Sequence, residues 1–260
     1  MFLTYRAKSE IDALIAQVTA SPPANDFTTD DGIGHTFWLA APSASAGISA
    51  AFAKVPVLYI ADGHHRSAAA SRVAKLRAGK PGEQGFFLAV VFPHDQLKIL
   101  PYNRLVKDLN GLTDAALLEK IAAHFTVTKG ARPEPGGVHQ VSMFLGGQWY
   151  GLEAKPGSWP RTPTGQLDVS ILQTNLLQPL LGIGDPRKDA RIDFVGGIRG
   201  TAELEKRVNS GSARVAFSMF PTGVEQMMEI ADAGEIMPPK STWFEPKLRS
   251  GLVLHLFNPA

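Results

Sequence analysis

The 260-residue chain contains no cysteine. That absence excludes disulfides, thiolate metal sites and cysteine nucleophiles, and gives no positive evidence on redox compartment. No apolar run approaches the roughly 18 residues that a membrane-spanning helix needs. The first residues, MFLTYRAKSEIDALIA, carry acids early and hold no secretory apolar region with a cleavage site. A cytoplasmic protein with no membrane partner is expected. An excess of one charge sign is also missing. Lys and Arg number 26 against 24 Asp and Glu, a net charge of +2, too small by itself to argue for nucleic acid. Internal repeats and low-complexity tracts are lacking as well. What remains is 44% hydrophobic and 19% charged residues, the composition of a globular chain long enough for one large domain or two small ones.

Helical spacing marks residues 9–19, with Ser9 as a candidate N-cap, the Ala-rich stretch 43–54, and 113–125, which opens on Thr-Asp. It also marks 167–181, where Pro179 should stop the helix, 202–208, and 221–233, with proline in its first turn and Gly234 just past its end. Strands are expected at 35–40, 57–60, 85–92, 97–100, 192–195, 214–219 and 252–257. Gly85–Phe92, GFFLAVVF, is the clearest of them, with 97–100 as its hairpin partner or neighbour. Residues 21–34 read as loop, and 102–109 as a short amphipathic piece. Gly146-Gly147 between two apolar runs is a two-residue hairpin signal. Strands and helices mix without strict alternation. The fold class is therefore α+β, mixed sheets with flanking helices, rather than a doubly wound parallel sheet.

Chemistry concentrates at residues 59–74, YIADGHHRSAAASRVA. The apolar run 57–60 reads as a buried strand, Asp62-Gly63 as a tight turn, and the Ala-rich continuation from about Arg66 as a helix. Asp62, His64, His65, Arg66 and Ser67 are thus delivered to a helix start, where unpaired N–H groups and the dipole favour an anion, above all phosphate. The plain alternative is a capped turn with solvated histidines. Two histidines and an arginine in succession would need burial partners in a core, so the site reading is preferred. Zinc on Asp62, His64, His65 and either His35 or Asp31 is disfavoured, because adjacent histidines rarely converge on one centre.

Other candidates are weaker. Gly234–Ser241, GEIMPPKS, mimics a phosphate loop, but Pro239 stands where the second glycine belongs, and proline removes both the N–H and the φ freedom. Lys240, Ser241 and Thr242 are nevertheless carried forward as cofactor-binding residues lining a site beside the central helix; the alternative is a structured turn with Trp243 and Phe244 packed in the core. Arg104 reads as a helix-spaced partner of Asp108, and Asp168 as a helix N-cap. Arg187, Lys188 and Arg191 read as a solvated basic loop.

ADGHHR at 61–66 and MPPKSTWFEPKLRSGL at 237–252, with LPYNRLVKDL at 100–109, LDVSIL at 167–172 and AFSMFPTGVEQM at 216–227, resemble domain-of-unknown-function family 1015 over nearly the whole chain. No activity is established for that family. Its members carry a long N-terminal region with a His-Glu element ahead of the part seen here, so the resemblance implies a short form or fragment without that region. The Asp-Gly-His-His-Arg element is also similar to the nucleotide motif of the ParB and sulfiredoxin-like superfamily, which includes free-serine kinases. In sulfiredoxins a Gly-Cys-His-Arg element occupies this turn. Here His64 takes the cysteine position, which excludes sulfinic-acid reduction. The resemblance implies a ParB/sulfiredoxin-like nucleotide-binding core over 1–110 and a C-terminal α+β region over 111–260 packed on it. It implies ATP or ADP with Mg²⁺, held by Gly63, Arg66 and Ser67, and Asp62, His64 and His65 as catalytic groups. Phosphate would pass to a small hydroxyl metabolite such as serine. Two rivals share the fold. One is a ParB-like nucleotide-dependent module on DNA, disfavoured because no helix-turn-helix is evident. The other is a degenerate, noncatalytic member that binds a partner.

Overall fold

The computed structural model describes residues 1–245, 249 and 251–256. The chain divides into two compact units, residues 1–97 with the tail from 248, and residues 98–247. In the first, β1 (Phe2–Tyr5) is the middle strand of a three-stranded sheet and is buried throughout. The helix α1 (Ser9–Thr19) follows; Lys8, not Ser9, holds the cap position, and no side chain caps it. Within the expected loop, β2 (Asn25–Thr28) pairs with β3 (Gly34–Phe37) as a small hairpin. The helix α2 (Pro42–Phe52) opens on proline, whose missing N–H costs nothing at a helix start. Tyr5, Ile11 and Ala51 form one buried cluster, which seats α1 and α2 on a face of the sheet.

The strand β4 (Tyr59–Asp62) runs antiparallel to β1, with an irregularity opposite Phe2 and Leu3. It leads directly into α3 (His64–Leu76). The strand β5 (Val90–Pro93) runs parallel to β1. Two expectations shift here. Val57 and Leu58 precede β4 and are exposed. GFFLAVVF forms a strand only toward its end, because the parallel register sets Phe2 opposite Val90. Phe86 is left 69% exposed. An apolar run signals burial, but a strand also needs a partner beside it.

The second unit starts with β6 (Lys98–Leu100) and β7 (Tyr102–Val106). The former does not pair with β5 as expected. Its partner comes from the far end of the unit. Thr113 caps α4 (Asp114–Ile121) by accepting the Ala116 N–H at 3.2 Å. The strands β8 (Phe125–Lys129), β9 (Gln140–Leu145) and β10 (Gln148–Ala154) follow. Gly146 and Gly147 both take positive φ, 58° and 77°, so the expected two-residue hairpin forms with Leu145 opposite Gln148.

The helix α5 (Asp168–Leu172) widens into a π turn over Gln173–Leu177. Asp168 does not cap it. Leu167 is the cap residue, and the Asp168 carboxylate accepts the His139 N–H at 2.7 Å. The helical run ends ahead of Pro179. Then come β11 (Ile192–Gly196), α6 (Ala202–Asn209), β12 (Val215–Met219), α7 (Val224–Asp232) and β13 (Trp243–Glu245). Pro221 lies ahead of α7 rather than in its first turn, and Gly234 terminates it at φ 69°.

The six-stranded sheet has the order β11-β7-β12-β9-β10-β8, and every neighbouring pair is antiparallel. One face carries the main core, which includes Val106, Leu117, Phe125, Met143, Leu172 and Phe217. The other face is covered by α6 through Leu204, packed with Leu105, Phe144 and Trp149. A separate two-stranded sheet joins β13 to β6. The architecture is α+β, mixed sheets with flanking helices. Residues 252–256 form no strand, and Phe257, the last of that expected element, lies outside the described residues. No helix among the described residues is long and apolar enough to cross a membrane.

Candidate functional site

Gly63 is the pivot of the first unit's polar turn. It takes φ 94° and ψ 29°, a left-handed conformation that side chains resist. That single residue ends β4 and starts α3, two residues earlier than the sequence pattern suggested. His64, His65 and Arg66 therefore stand in the first helical turn rather than ahead of it. The first intrahelical bond runs from the Ser67 N–H to the Gly63 carbonyl at 2.9 Å. No side chain caps the helix, so the N–H groups of His64, His65 and Arg66 point forward without an intrahelical acceptor. The Asp62 carboxylate accepts the Gly63 N–H at 2.8 Å.

Arg66 faces Asp62 at 3.6 Å, with side chains 65% and 52% exposed. Such a pair is weak in water, so Arg66 can leave it for a stronger anion. A Cβ added at Gly63 would fall 2.9 Å from the Arg66 guanidinium. The guanidinium thus lies over the turn. The Ser67 hydroxyl reaches the Met1 sulfur at 3.4 Å. Burial, then Arg66, holds the Met1 ammonium below its usual range, with Asp62 opposing. His64 and His65 are exposed. The structure thus collects Asp62, Gly63, His64, His65, Arg66 and Ser67 on one open turn. No group of three His, Asp or Glu side chains among the described residues is arranged to hold a metal ion.

Lys240, Ser241 and Thr242 belong to the second unit. Lys240 takes a positive φ of 55°, and its ammonium stands 5.3 Å from the centre of the Tyr102 ring. Ser241 is buried and donates to the Pro238 carbonyl at 2.6 Å. Its own carbonyl accepts from Thr222 at 3.3 Å. Thr242 is half-buried ahead of β13. Phe244 is buried, and a Cβ at Gly196 would meet the Trp243 ring at 2.4 Å. The aromatic anchors are as expected, and Ser241 serves the turn itself.

Arg104 is the residue that sequence reasoning misjudged. It does not pair with Asp108, whose partner is Arg191 at 3.4 Å. Arg104 lies on β7, opposite Phe194 and Phe217 in the neighbouring strands. It is 3% exposed. Its guanidinium donates to the Tyr102 carbonyl and, at 3.1 Å, to the Lys240 carbonyl, and it stands 5.6 Å from the Phe194 ring centre. No carboxylate partners it among the described residues. Burial lowers its pKa to about 9, which leaves it cationic at neutral pH. It lines a cavity of about 180 Å³ together with Ser170, Gln173, Thr174, Phe194, Pro238 and Pro239, among others. Arg187 and Arg191 are held by Asp185 and Asp189 at 3.0 and 2.8 Å, an ordinary paired loop.

A family described as "Protein of unknown function (DUF1015)" matches residues 1–170. The chain belongs to this family. No curated protein matches this DUF1015 chain. Among solved structures it is similar to a conserved hypothetical protein from Pyrococcus furiosus, with 15% identity and a TM-score of 0.41, over 94% of this chain and 86% of that one. It is also similar to a point mutant of a free serine kinase in complex with AMP and to the same mutant in complex with ADP. Each match has 16% identity and a TM-score of 0.39, over 94% of this chain and 83% of the other. Part of the second resembling motif, residues 246–248 and 250, lies outside the described residues.

Proposed function

We propose that the Asp62–Ser67 turn binds the phosphate of a nucleotide, ATP or ADP, and that the protein passes a phosphoryl group to a small hydroxyl metabolite. One observation carries the reading. A left-handed Gly63 presents the uncapped start of a 13-residue helix with His64, His65 and Arg66 all in its first turn. Open N–H groups, a helix dipole and an exposed guanidinium at one point are the components of a phosphate cradle. Gly63 lets backbone and phosphate approach closely, His65 and Arg66 contact phosphate oxygens, and Ser67 stands one turn in.

Phosphoryl transfer asks mainly for positioning and charge neutralisation. In the step proposed, the bond from the terminal phosphorus to its bridging oxygen breaks. The acceptor hydroxyl oxygen bonds to that phosphorus, and its proton passes to Asp62. His64 stands beside the acceptor. A single carboxylate fits Mg²⁺ that arrives on the nucleotide and keeps most of its water, rather than one caged by protein. Serine is the acceptor to try first, on the turn's resemblance to that of free-serine kinases.

The test is a thermal-shift and calorimetric titration of ATP, ADP and CTP against the wild type and Arg66→Ala. An adenine nucleotide should raise Tm, and Arg66→Ala should weaken it roughly tenfold, the size of a lost charge-assisted contact. If none of the three stabilises the wild type, the cradle is refuted. Phosphoserine formation from ATP or ADP then tests the transfer.

A further inference from the structure

Strand alternation places residues 102, 104 and 106 of β7 on one face of the sheet, and Val106 belongs to the main core there. Position 104 thus asks for an apolar side chain and holds an arginine. Stability does not call for it. An apolar residue of similar volume is commonly neutral or stabilising in place of a buried charge, and a charge buried without a counter-ion is costly. Two carbonyls engage Arg104, yet a guanidinium has five N–H donors. Three are left over, and the side chain lines a cavity.

The walls of that cavity define what fits. Val169, Leu177, Ile192, Phe194, Pro238 and Pro239 make them mostly apolar. The Ser170 and Thr174 hydroxyls supply polar contacts, and Thr174 is exposed at the rim. The π turn Gln173–Leu177 shapes one side. Such widened turns recur at ligand sites because they break the regular spacing of a helix face. Gln173 is fixed by donating to the Ile183 and Gly184 carbonyls at 2.7 and 3.2 Å. A volume of about 180 Å³ is below that of drug-sized sites and suits a small metabolite. One cation among apolar walls balances one negative charge. Inorganic phosphate is strongly hydrated on all its oxygens and, as the dianion, would keep an uncompensated charge there.

We propose that this cavity binds a small organic monocarboxylate, its carboxylate on Arg104 and the Ser170 hydroxyl, its apolar body against Phe194, Ile192 and the two prolines. The assignment rests on the second unit alone and is independent of the nucleotide reading at Gly63.

The full chain is titrated with isovalerate, its neutral isostere isovaleramide, and inorganic phosphate, read by thermal shift and by ligand-observed NMR. Isovalerate should raise Tm by roughly 3 °C at about ten times its Kd. Isovaleramide should bind at least about tenfold more weakly, for want of the charged hydrogen bond. Phosphate should give no shift that Ser170→Leu removes. Ser170→Leu fills the cavity without touching the Arg104 hydrogen bonds and should abolish the isovalerate response while the chain still melts cooperatively. Arg104→Met should do the same; if that variant fails to fold, Ser170→Leu decides. Equal binding of acid and amide overturns the proposal. So does an isovalerate response that survives Ser170→Leu, or a response to phosphate and none to isovalerate.

Discussion

Arg66 and Arg104 are the same residue type put to opposite physical use. Arg66 is solvated and, among the described residues, pairs with an exposed carboxylate at 3.6 Å, so it can follow a ligand. Arg104 is fixed and desolvated, so a ligand must come to it. Asp168 is a half-buried ionisable group of the second unit. Burial pushes its carboxyl up to about 7, against the lowering effect of the His139 N–H. Its folded-state pKa thus lies above that of the unfolded chain. The stability this contributes is present in acid and is lost as pH rises from the ordinary carboxylate range through about 7. Asp168→Asn keeps an oxygen for the His139 N–H and removes the ionisation. It should melt higher than the wild type at about pH 8, and the difference should close near pH 4, where both side chains are neutral. A variant that melts lower than the wild type at pH 8 but not at pH 4 would show that the Asp168 charge stabilises the fold.

At the scale of elements, close approach matters more than propensity. Gly196 ends β11 at φ −62°, a conformation open to any residue. A Cβ there would lie 2.4 Å from the Trp243 ring, and one at Gly197 would lie 2.6 Å from Pro101. Gly196→Ala should therefore destabilise the second unit by about 1–3 kcal/mol through overpacking. Gly184→Ala, which meets nothing within 4 Å, should be close to neutral in the same denaturant titration. These contacts show where the sequence stops being legible. Gly146-Gly147 announced its hairpin because the turn chemistry is local. Thr113 announced α4 for the same reason. GFFLAVVF misled because its pairing depends on a register with β1. In YNRLV, alternation alone cannot say which face is the core. Arg104 read as a helix-spaced partner of Asp108, whereas β11 and β12, about 90 and 110 residues on, set phenylalanines on both sides of it. The turn at Asp62–Ser67 was legible as a group because its members are contiguous, although the helix start was misplaced by two residues.

For the molecule as a whole, the second unit draws its main core from residues 106–230 alone. A chain of about 150 residues is long enough to bury most of its own apolar surface. The fragment 98–247 should therefore fold by itself, with one cooperative urea transition and an intact near-UV spectrum. A fragment that binds a hydrophobic dye and melts without cooperativity would contradict this. The way this unit closes also sets an order of events. Arg104 meets Lys240 across 136 residues of chain, and β6 meets β13 over a similar span. Loop closure of that length is slow beside the β9–β10 hairpin. Arg104 should therefore lose its last water late in folding, when the Pro238–Glu245 segment docks. If the last wall of the cavity closes last, the proposed monocarboxylate should change the rate of that closing step in a refolding experiment and leave earlier sheet formation untouched.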